Sequence, residues 1–244
     1  RPHLDQAARH GPHLRICDAH FGGSAARAKR SLGVVARSNR RTSVKIHPDL
    51  AHFDDGYARL AREANAEPTS IGVQTTNRAS LRAIRRTATH DHREAIARVL
   101  SHFPRTPADL IVGLPGDDPE GLERTFADVL SMGFRAVNVN RLRIFPGTAL
   151  AADPPGLMGG REVVHTAAGQ VLSSPSFPAS RAGEVAALVP ALESAAPLER
   201  TRRLLAPAGG GAALLGLARV AEPADLMRIR GCLLDRRPAL AGEF

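Results

Sequence analysis

The chain has 244 residues, 43% of them apolar, so it can bury a sizeable core, and no apolar run predicts a membrane span or a secretory leader. Its two cysteines, Cys17 and Cys232, are too few for a disulfide framework and too far apart to suggest a metal site, so a reducing cytoplasm is expected. The formal net charge of +9 comes almost wholly from arginines spread along the chain, and one tyrosine with no tryptophan leaves little to stack on bases, so nucleic-acid binding is not favoured.

Short apolar segments alternate with longer amphipathic ones along the first two-thirds of the chain. The apolar segments predict strands at residues 14–17, 43–46, 69–74, 108–113 and 136–144. The amphipathic segments predict helices at residues 25–37, 55–64, 78–85, 91–102 and 119–132. Ser24 is the predicted N-cap of the first helix, and Pro119 suits the first turn of the last. This strand–helix alternation predicts parallel strands with helices outside, in an open sheet or a barrel.

The alternation ends near Asp153. Prolines and glycines in residues 154–160 predict a linker, and residues 173–178 predict a second irregular stretch. Residues 183–205 predict a helix. We therefore expect residues 1–150 to form the α/β core and residues 151–244 to form a mostly helical appendage.

In folds with parallel strands, ligands bind where the carboxyl ends of the strands enter loops. The polar residues at the predicted strand ends, together with an inward-facing aspartate on the fourth strand, are therefore candidates for a site: Asp18, His47, Asp49, Gln74, Asn140 and Asp109.

Three motifs occur in order along the chain and carry a family resemblance. Their sequences are SIGVQTTN at residues 70–77, DLIVGLPG at residues 109–116 and PGTAL at residues 146–150. With residues 47–50 and 171–175, they resemble the radical S-adenosylmethionine (SAM) superfamily over about residues 14–178. The resemblance is closest to the cobalamin-domain-linked type, and the strand motifs are shared with the oxygen-independent coproporphyrinogen oxidase group.

The resemblance implies a partial parallel (βα) barrel in which a [4Fe–4S] cluster cleaves SAM reductively and starts radical chemistry on a substrate. It implies that Gln74 contacts the methionyl or ribose part of SAM, Arg86 its carboxylate and Asp109 its ribose hydroxyls. Apolar groups would flank the adenine at Val112, Leu114, Leu142 and Ile144. The alternatives are that Gln74 satisfies backbone groups, that Arg86 is a surface arginine, and that Asp109 pairs internally with an arginine.

The sequence departs from the family in three places. The cluster motif C-x3-C-x2-C is absent, and we expect it in a missing N-terminal segment upstream of Arg1. Lys45 stands where relatives carry a glutamate that would meet the SAM amino group, and residues 18–22 read DAHFG where relatives read more like DRTFN. No metal ligand is assigned, because His90 and His92 do not share a helix face and the other histidines are expected at the surface.

Three functions remain open on these grounds. The first is a radical SAM enzyme fragment, the second a decayed or non-catalytic SAM-binding remnant, and the third a basic polyanion-binding protein. The first would use SAM, a [4Fe–4S] cluster held outside this chain, and cobalamin if a cobalamin-binding domain precedes it. Its partners would be an electron donor such as a flavodoxin or ferredoxin and an unidentified small-molecule or peptide substrate. No catalytic residue is predicted.

Overall fold

The structure is a computed structural model that describes residues 13–18, 21, 23–38, 42–86, 92–160 and 163–195. The chain divides into two compact units. The first unit comprises residues 1–72, 89–108 and 132–134, and the second comprises residues 73–88, 109–131 and 135–244. In the described part of the chain, no helix combines the length and apolar character needed to cross a membrane.

Strands and helices alternate through most of the described chain. The strands are β1 (His13–Arg15), β2 (Ser43–Ile46), β3 (Ala66–Pro68), β4 (Ile71–Gln74), β5 (Ala108–Val112), β6 (Val137–Arg141), β7 (Val164–His165) and β8 (Val171–Ser173). The helices are α1 (Ala25–Ser38), α2 (Asp55–Glu63), α3 (Arg78–Ala83), α4 (Arg93–His102), α5 (Pro119–Ser131), α6 (Ala149–Ala152), α7 (Pro154–Met158) and α8 (Ala182–Ala195). Single 3₁₀ turns occur at Leu50–His52 and Ala179–Arg181.

The first unit is built on a parallel sheet in the order β1-β2-β3. Side chains of a strand alternate between its two faces, and on β2 Val44 and Ile46 are buried while Lys45 is not. Lys45 lies opposite Glu67 on β3, and its Nζ is 2.5 Å from Glu67 Oε1. One face of this sheet is therefore apolar and covered, and the other presents an ion pair.

The second sheet has the order β4-β5-β6, with helices between its successive strands. On β5, Leu110 and Val112 are buried and alternate with the half-buried Asp109 and Ile111. The predicted α/β class with parallel strands is thereby confirmed. The predicted division at residue 150 stays a prediction.

An antiparallel pair, β7-β8, lies in the second unit and is hydrogen-bonded to the segment that follows β6. Val171 N–H donates to the Leu142 carbonyl at 2.9 Å, and Ile144 N–H donates to the Gly169 carbonyl at 2.8 Å. These bonds support a buried cluster formed by Leu114, Leu142, Ile144, Met158 and Val171.

Several predicted elements need correction. The strand predicted at residues 69–74 is β4 alone, and β3 was missed because Glu67 and Pro68 are poor strand formers. The linker predicted at residues 154–160 contains α7, whose Pro154 suits a first helical turn. The helix predicted at residues 183–205 is α8 as far as Ala195, and its remainder lies outside the described residues, as do His90 and Cys232.

Arg181 connects the 3₁₀ turn Ala179–Arg181 to α5. Its guanidinium donates to Glu120 Oε2 at 2.9 Å and Oε1 at 2.5 Å, and it also donates to Glu184. These hydrogen bonds from Arg181 lower the pKa of the Glu120 carboxyl to about 2. The ionised Glu120 therefore stabilises the fold fully at pH values above 4.5, the ordinary pKa of the carboxyl group. This contribution is lost as the pH falls through about 2.

We expect the replacement Arg181→Gln to return the pKa of Glu120 towards 4.5, as followed by carboxyl carbon chemical shifts in a pH titration. Arg124→Gln is the matched control, because Arg124 acts on Glu120 only through space and is the weakest of the causes. Equal changes in the two variants would contradict the assignment to the Arg181 hydrogen bonds.

Tyr57 is the only tyrosine of the chain and reports on the first unit. Its side chain is fully buried, and its hydroxyl has no hydrogen-bond partner among the described residues. Burial, followed by the negative charges of Asp49 and Asp18, raises the pKa of Tyr57 well above its ordinary 10.0. The unfolded chain releases this proton above pH 10 while the folded chain keeps it, so the free energy of unfolding falls as the pH rises further.

In an alkaline titration, we therefore expect tyrosinate absorbance to appear only together with the loss of helical circular dichroism. The same titration in concentrated urea should show Tyr57 ionising at its ordinary pKa. Tyrosinate formed near pH 10 in a chain that is still folded would contradict the burial of this hydroxyl.

Candidate functional site

All seven predicted site residues lie in the second unit, six of them on or just after β4, β5 and β6, and Arg86 just after α3. They are Gln74, Arg86, Asp109, Val112, Leu114, Leu142 and Ile144. The less buried face of the β4-β5-β6 sheet carries polar side chains from each strand: Gln74, Asp109, Asn138 and Asn140. The alternation of side chains along these strands places the polar groups on the face opposite the core.

Gln74 ends β4 in a strained turn. Its φ is +67°, and Thr75 N–H donates to the Val73 carbonyl at 2.9 Å across it. A bond from residue i+2 to residue i is that of a γ-turn, and the form with positive φ at the central residue is rare and strained. For a residue other than glycine, the left-handed region costs about 1–2 kcal/mol.

Arg86 follows a helix end with a second residue of positive φ. Arg86 N–H donates to the Leu81 carbonyl at 2.8 Å and Arg85 N–H to the Arg82 carbonyl at 3.0 Å, the bonding pattern of a Schellman motif. Glycine usually occupies the left-handed position of this motif, but here it is Arg85, with φ +55°. This turn fixes the direction in which the backbone of Arg86 leaves α3.

The Arg86 side chain combines exposure with partial burial. The residue as a whole is exposed, yet protein around the guanidinium lowers its pKa through burial. Because the pKa of arginine lies far above neutrality, the guanidinium stays charged and can bind an anion.

Asp109 is half-buried on β5 and accepts a hydrogen bond from Asn138 Nδ2 at 2.7 Å through Oδ1. The alternative interpretation from the sequence is that Asp109 pairs internally with an arginine. The structure shows the Asn138 amide, on the neighbouring strand β6, as the partner of Oδ1. An amide partner leaves the carboxylate charge in place, so Asp109 can still accept hydrogen bonds from a ligand.

The four apolar site residues are all buried in the core. Val112 is 3% exposed and Leu114 1%, and Leu142 and Ile144 are each 8% exposed. Leu142 N–H already donates to the Val112 carbonyl at 2.9 Å, and Ile144 N–H is bonded to Gly169. Packing alone accounts for the burial of these side chains, so their contact with adenine stays a prediction.

A small cleft lies beside the end of β5, with an empty volume of about 310 Å³ that includes solvent at its mouth. Its walls are mostly apolar, and the half-buried Arg141 and Ser173 supply polar groups. Val112 is the only one of the seven predicted residues that lines this cleft. We therefore do not equate the cleft with the site predicted around Gln74, Arg86 and Asp109.

A buried polar network follows Gln74, and the sequence did not predict it. It consists of Thr75, Asp117 and Thr125, which are 1%, 2% and 1% exposed. Burial raises the pKa of Asp117, while hydrogen bonds from Thr75, Asp118 and Asn77 oppose this rise. The two threonines after Gln74 and the Asp117-Asp118 pair were the available signal, but only the fold brings the threonines and Asp117 together.

The residues present do not fit a [4Fe–4S] cluster. Three thiolates are needed to hold such a cluster with one iron open to SAM, and the sequence has two cysteines. Of these, Cys17 is exposed and Cys232 lies outside the described residues. In the part of the chain that the structure covers, no group of three His, Cys, Asp or Glu residues could hold a metal ion.

Lys45 does not stand alone on its sheet face, because Glu67 on β3 pairs with it. The sequence raised the concern that its ammonium would repel the amino group of SAM. The paired carboxylate offsets that charge locally, and the position of Lys45 relative to SAM stays a prediction.

Comparison with known proteins locates this fold among characterised enzymes. No family model and no curated protein matches the sequence. The radical S-adenosylmethionine methyltransferase TsrM from Kitasatospora setae, solved with its tryptophan substrate and the SAM analogue aza-SAM, superposes with a TM-score of 0.57 at 20% identity. That alignment covers 75% of this chain and 38% of TsrM. This chain has the fold of the radical SAM enzymes.

Two further solved structures are similar to this chain over part of their length. TsrM with cobalamin and a [4Fe–4S] cluster bound aligns at 19% identity with a TM-score of 0.54, covering 64% of this chain and 32% of TsrM. The radical SAM enzyme HemN, coproporphyrinogen III oxidase from Escherichia coli, has a TM-score of 0.48 at 18% identity, covering 84% and 44%. The chain thus spans less than half the length of each of these proteins. The predicted radical SAM type of fold is confirmed on the TsrM structures.

Proposed function

We propose that the second unit of this chain binds SAM and forms the SAM-binding part of a radical SAM enzyme. The observation that supports this most is the backbone around the predicted site. Among non-glycine residues described in the second unit, only Gln74 and Arg85 have positive φ, and they are a predicted site residue and the neighbour of another. Strain of this kind persists where the surrounding structure enforces it, and it is concentrated at functional sites.

The donor set suits the parts of SAM. The charged Arg86 guanidinium can hold the methionyl carboxylate through two parallel hydrogen bonds. The Asp109 carboxylate can accept hydrogen bonds from the ribose hydroxyls, and the Gln74 amide can both donate and accept. These residues bind and orient SAM in our proposal.

The cluster belongs to a different part of the proposal. Because this chain cannot supply three thiolates, we place the [4Fe–4S] cluster on a segment of the natural protein outside the 244 residues. When bound, the cluster would supply the electron that cleaves SAM. The electron donor, a cobalamin and the substrate would be partners of that longer protein.

A non-catalytic SAM-binding protein is the second candidate, and the cysteine content of the chain favours it directly. Both candidates predict SAM binding by the chain itself, and they differ in the cluster. The polyanion-binding alternative rests on the net charge of +9. An ion pair such as that of Arg181 with Glu120 contributes nothing to this excess, so the alternative depends on the arginines that have no acidic counterpart.

Calorimetric titration of the 244-residue chain with SAM tests the shared proposal, and we expect one binding site. S-adenosylhomocysteine, which keeps the carboxylate and ribose, should compete with SAM for this site. Absence of binding to both, together with DNA binding that weakens steeply with salt, would replace the proposal with polyanion binding. Anaerobic reconstitution with iron and sulfide, carried out on a protein longer than the 244 residues, then separates the two SAM-binding candidates. Cluster absorbance would support the radical SAM enzyme, and its absence would support the non-catalytic SAM-binding protein.

A further inference from the structure

The backbone turn at Gln74 is stabilised by hydrogen bonds that the residues after it make. Thr75 Oγ1 donates to Asp117 Oδ2 at 2.9 Å and accepts from Asn77 N–H at 3.0 Å. Asp117 is itself fixed by Asp118 N–H at 3.1 Å and by Asn77 Nδ2 at 3.4 Å. The residue after Gln74 is therefore anchored on a buried carboxylate.

Thr125 on α5 anchors the same loop at a second point. Its hydroxyl oxygen accepts from Thr76 N–H at 3.0 Å and lies 3.1 Å from Thr75 Oγ1. For Gln74 to leave the left-handed region, Thr75 and Thr76 would have to move and abandon these bonds. Leaving a buried hydroxyl or carboxylate without its partner costs about 1–3 kcal/mol, which exceeds or matches the strain of the turn.

Helix capping does not account for Asp117. The N-terminus of α5 is capped by Asp118, whose Oδ1 accepts from Gly121 N–H at 2.6 Å. The N-terminus of α3 is capped by Asn77, whose Oδ1 accepts from Ala79 N–H at 2.9 Å. Asp117 is therefore the capping acceptor of neither helix, and the side chain that donates to its Oδ2 is that of Thr75.

The shape of α5 also accommodates Asp117. A Cβ at Gly121 would overlap Asp117 Oδ1, so a glycine in the first turns of α5 leaves room for the carboxylate. Glycine inside a helix costs about 1 kcal/mol relative to alanine. The helix therefore bears a cost at a position where a larger residue would displace Asp117.

We propose that Asp117, Thr75 and Thr125 are positioning residues that hold Gln74 in its strained turn and so set the direction from which Gln74 meets its ligand. The identity of that ligand as SAM rests on the proposed function. In this proposal the network affects binding through the backbone of Gln74.

The test combines Thr75→Val, which removes the hydroxyl at constant shape, with Thr75→Ser, which restores it. SAM affinity is measured by calorimetry, and the Gln74 backbone is followed by its Cα chemical shift and HN–Hα coupling. We expect Thr75→Val to weaken SAM binding by about tenfold and to move the Gln74 signals away from left-handed values, and Thr75→Ser to restore both.

Asp153→Ala is the stability-matched control, because Asp153 caps α7 by accepting from Gly156 N–H at 2.9 Å and lies in the same unit as Gln74 without belonging to the network. It should lose comparable stability and keep SAM affinity within about twofold, whereas a merely structural network would make affinity follow stability in both variants. Should Thr75→Val fail to fold, Asp117→Asn keeps the volume and one acceptor oxygen, and smaller changes in the same direction are expected.

Left-handed Gln74 signals and unchanged affinity in Thr75→Val, or in Asp117→Asn if that variant is needed, would overturn the inference. Failure of the proposed function looks different, because the unmodified chain would then bind no SAM. In that case the Gln74 signals still decide whether the network holds the turn.

Discussion

Replacing Arg86 with alanine is expected to weaken SAM binding about tenfold to a hundredfold, the loss that accompanies removal of a charged hydrogen-bonding partner. Arg86 is a charged group whose guanidinium is partly surrounded by protein, and its backbone is fixed by the turn at Arg85. A positioned guanidinium loses less freedom when it binds a carboxylate than a mobile one does. Calorimetric titration of the variant with SAM measures the loss directly.

Asp109→Asn should give a loss of similar size, because the amide has no charge and has one acceptor oxygen where the carboxylate has two. Arg82→Ala is the matched control, since Arg82 is an exposed arginine on the same helix, α3, with no predicted role. Unchanged affinity in both Arg86→Ala and Asp109→Asn would remove these residues from the site. A loss in Arg82→Ala as large as that in Arg86→Ala would indicate a general effect of charge.

Gly169→Ala is expected to lower the free energy of unfolding by about 3 kcal/mol. Gly169 has a φ of +79°, and its carbonyl accepts from Ile144 N–H where the β7-β8 pair meets the segment after β6. An added Cβ would overlap the Ile144 carbonyl oxygen, so backbone as well as side chain would have to move. The penalty combines the left-handed conformation with this overlap.

Gly159→Ala separates the two parts of that penalty. Gly159 has a φ of +80°, and an added Cβ there meets nothing within 4 Å. It should therefore cost only the conformational part, about 1–2 kcal/mol. Urea unfolding of both variants gives the comparison, and equal costs at the two positions would show that the chain relieves the contact at Ile144 easily.

Local sequence patterns were sufficient for the regular elements. Ser24 at the start of α1 accepts from Arg27 N–H at 3.3 Å, and Pro119 opens α5, as the capping and first-turn rules predict. The apolar segments ending at Gln74 and Val112 are strands for the same reason, since a short run of apolar residues is visible within a few positions. The failure at β3 has the opposite cause: Glu67 and Pro68 disfavour a strand, and pairing with β2 overrides that preference.

The candidate site was only partly accessible from the sequence. The family motifs selected Gln74, Arg86 and Asp109 by position, and the fold places all three in one unit. Nothing in the sequence indicated that Gln74 and Arg85 would adopt positive φ, because both residue types ordinarily avoid it. For the four apolar residues, the sequence could not distinguish two roles. Burial in the core and contact with a ligand both favour apolar residue types.

The sequence by itself determined the α/β alternation, the helix starts and the motif positions, because these depend on residues that are neighbours along the chain. Only the tertiary structure decided that Thr75, Asp117 and Thr125 share one buried network and that Arg181 binds Glu120, contacts separated by 42 to 61 residues. Such contacts depend on how strands and helices pack, and a threonine or a glutamate carries no local mark of its distant partner. The strain at Gln74 follows from those contacts, so it too became visible only in the folded chain.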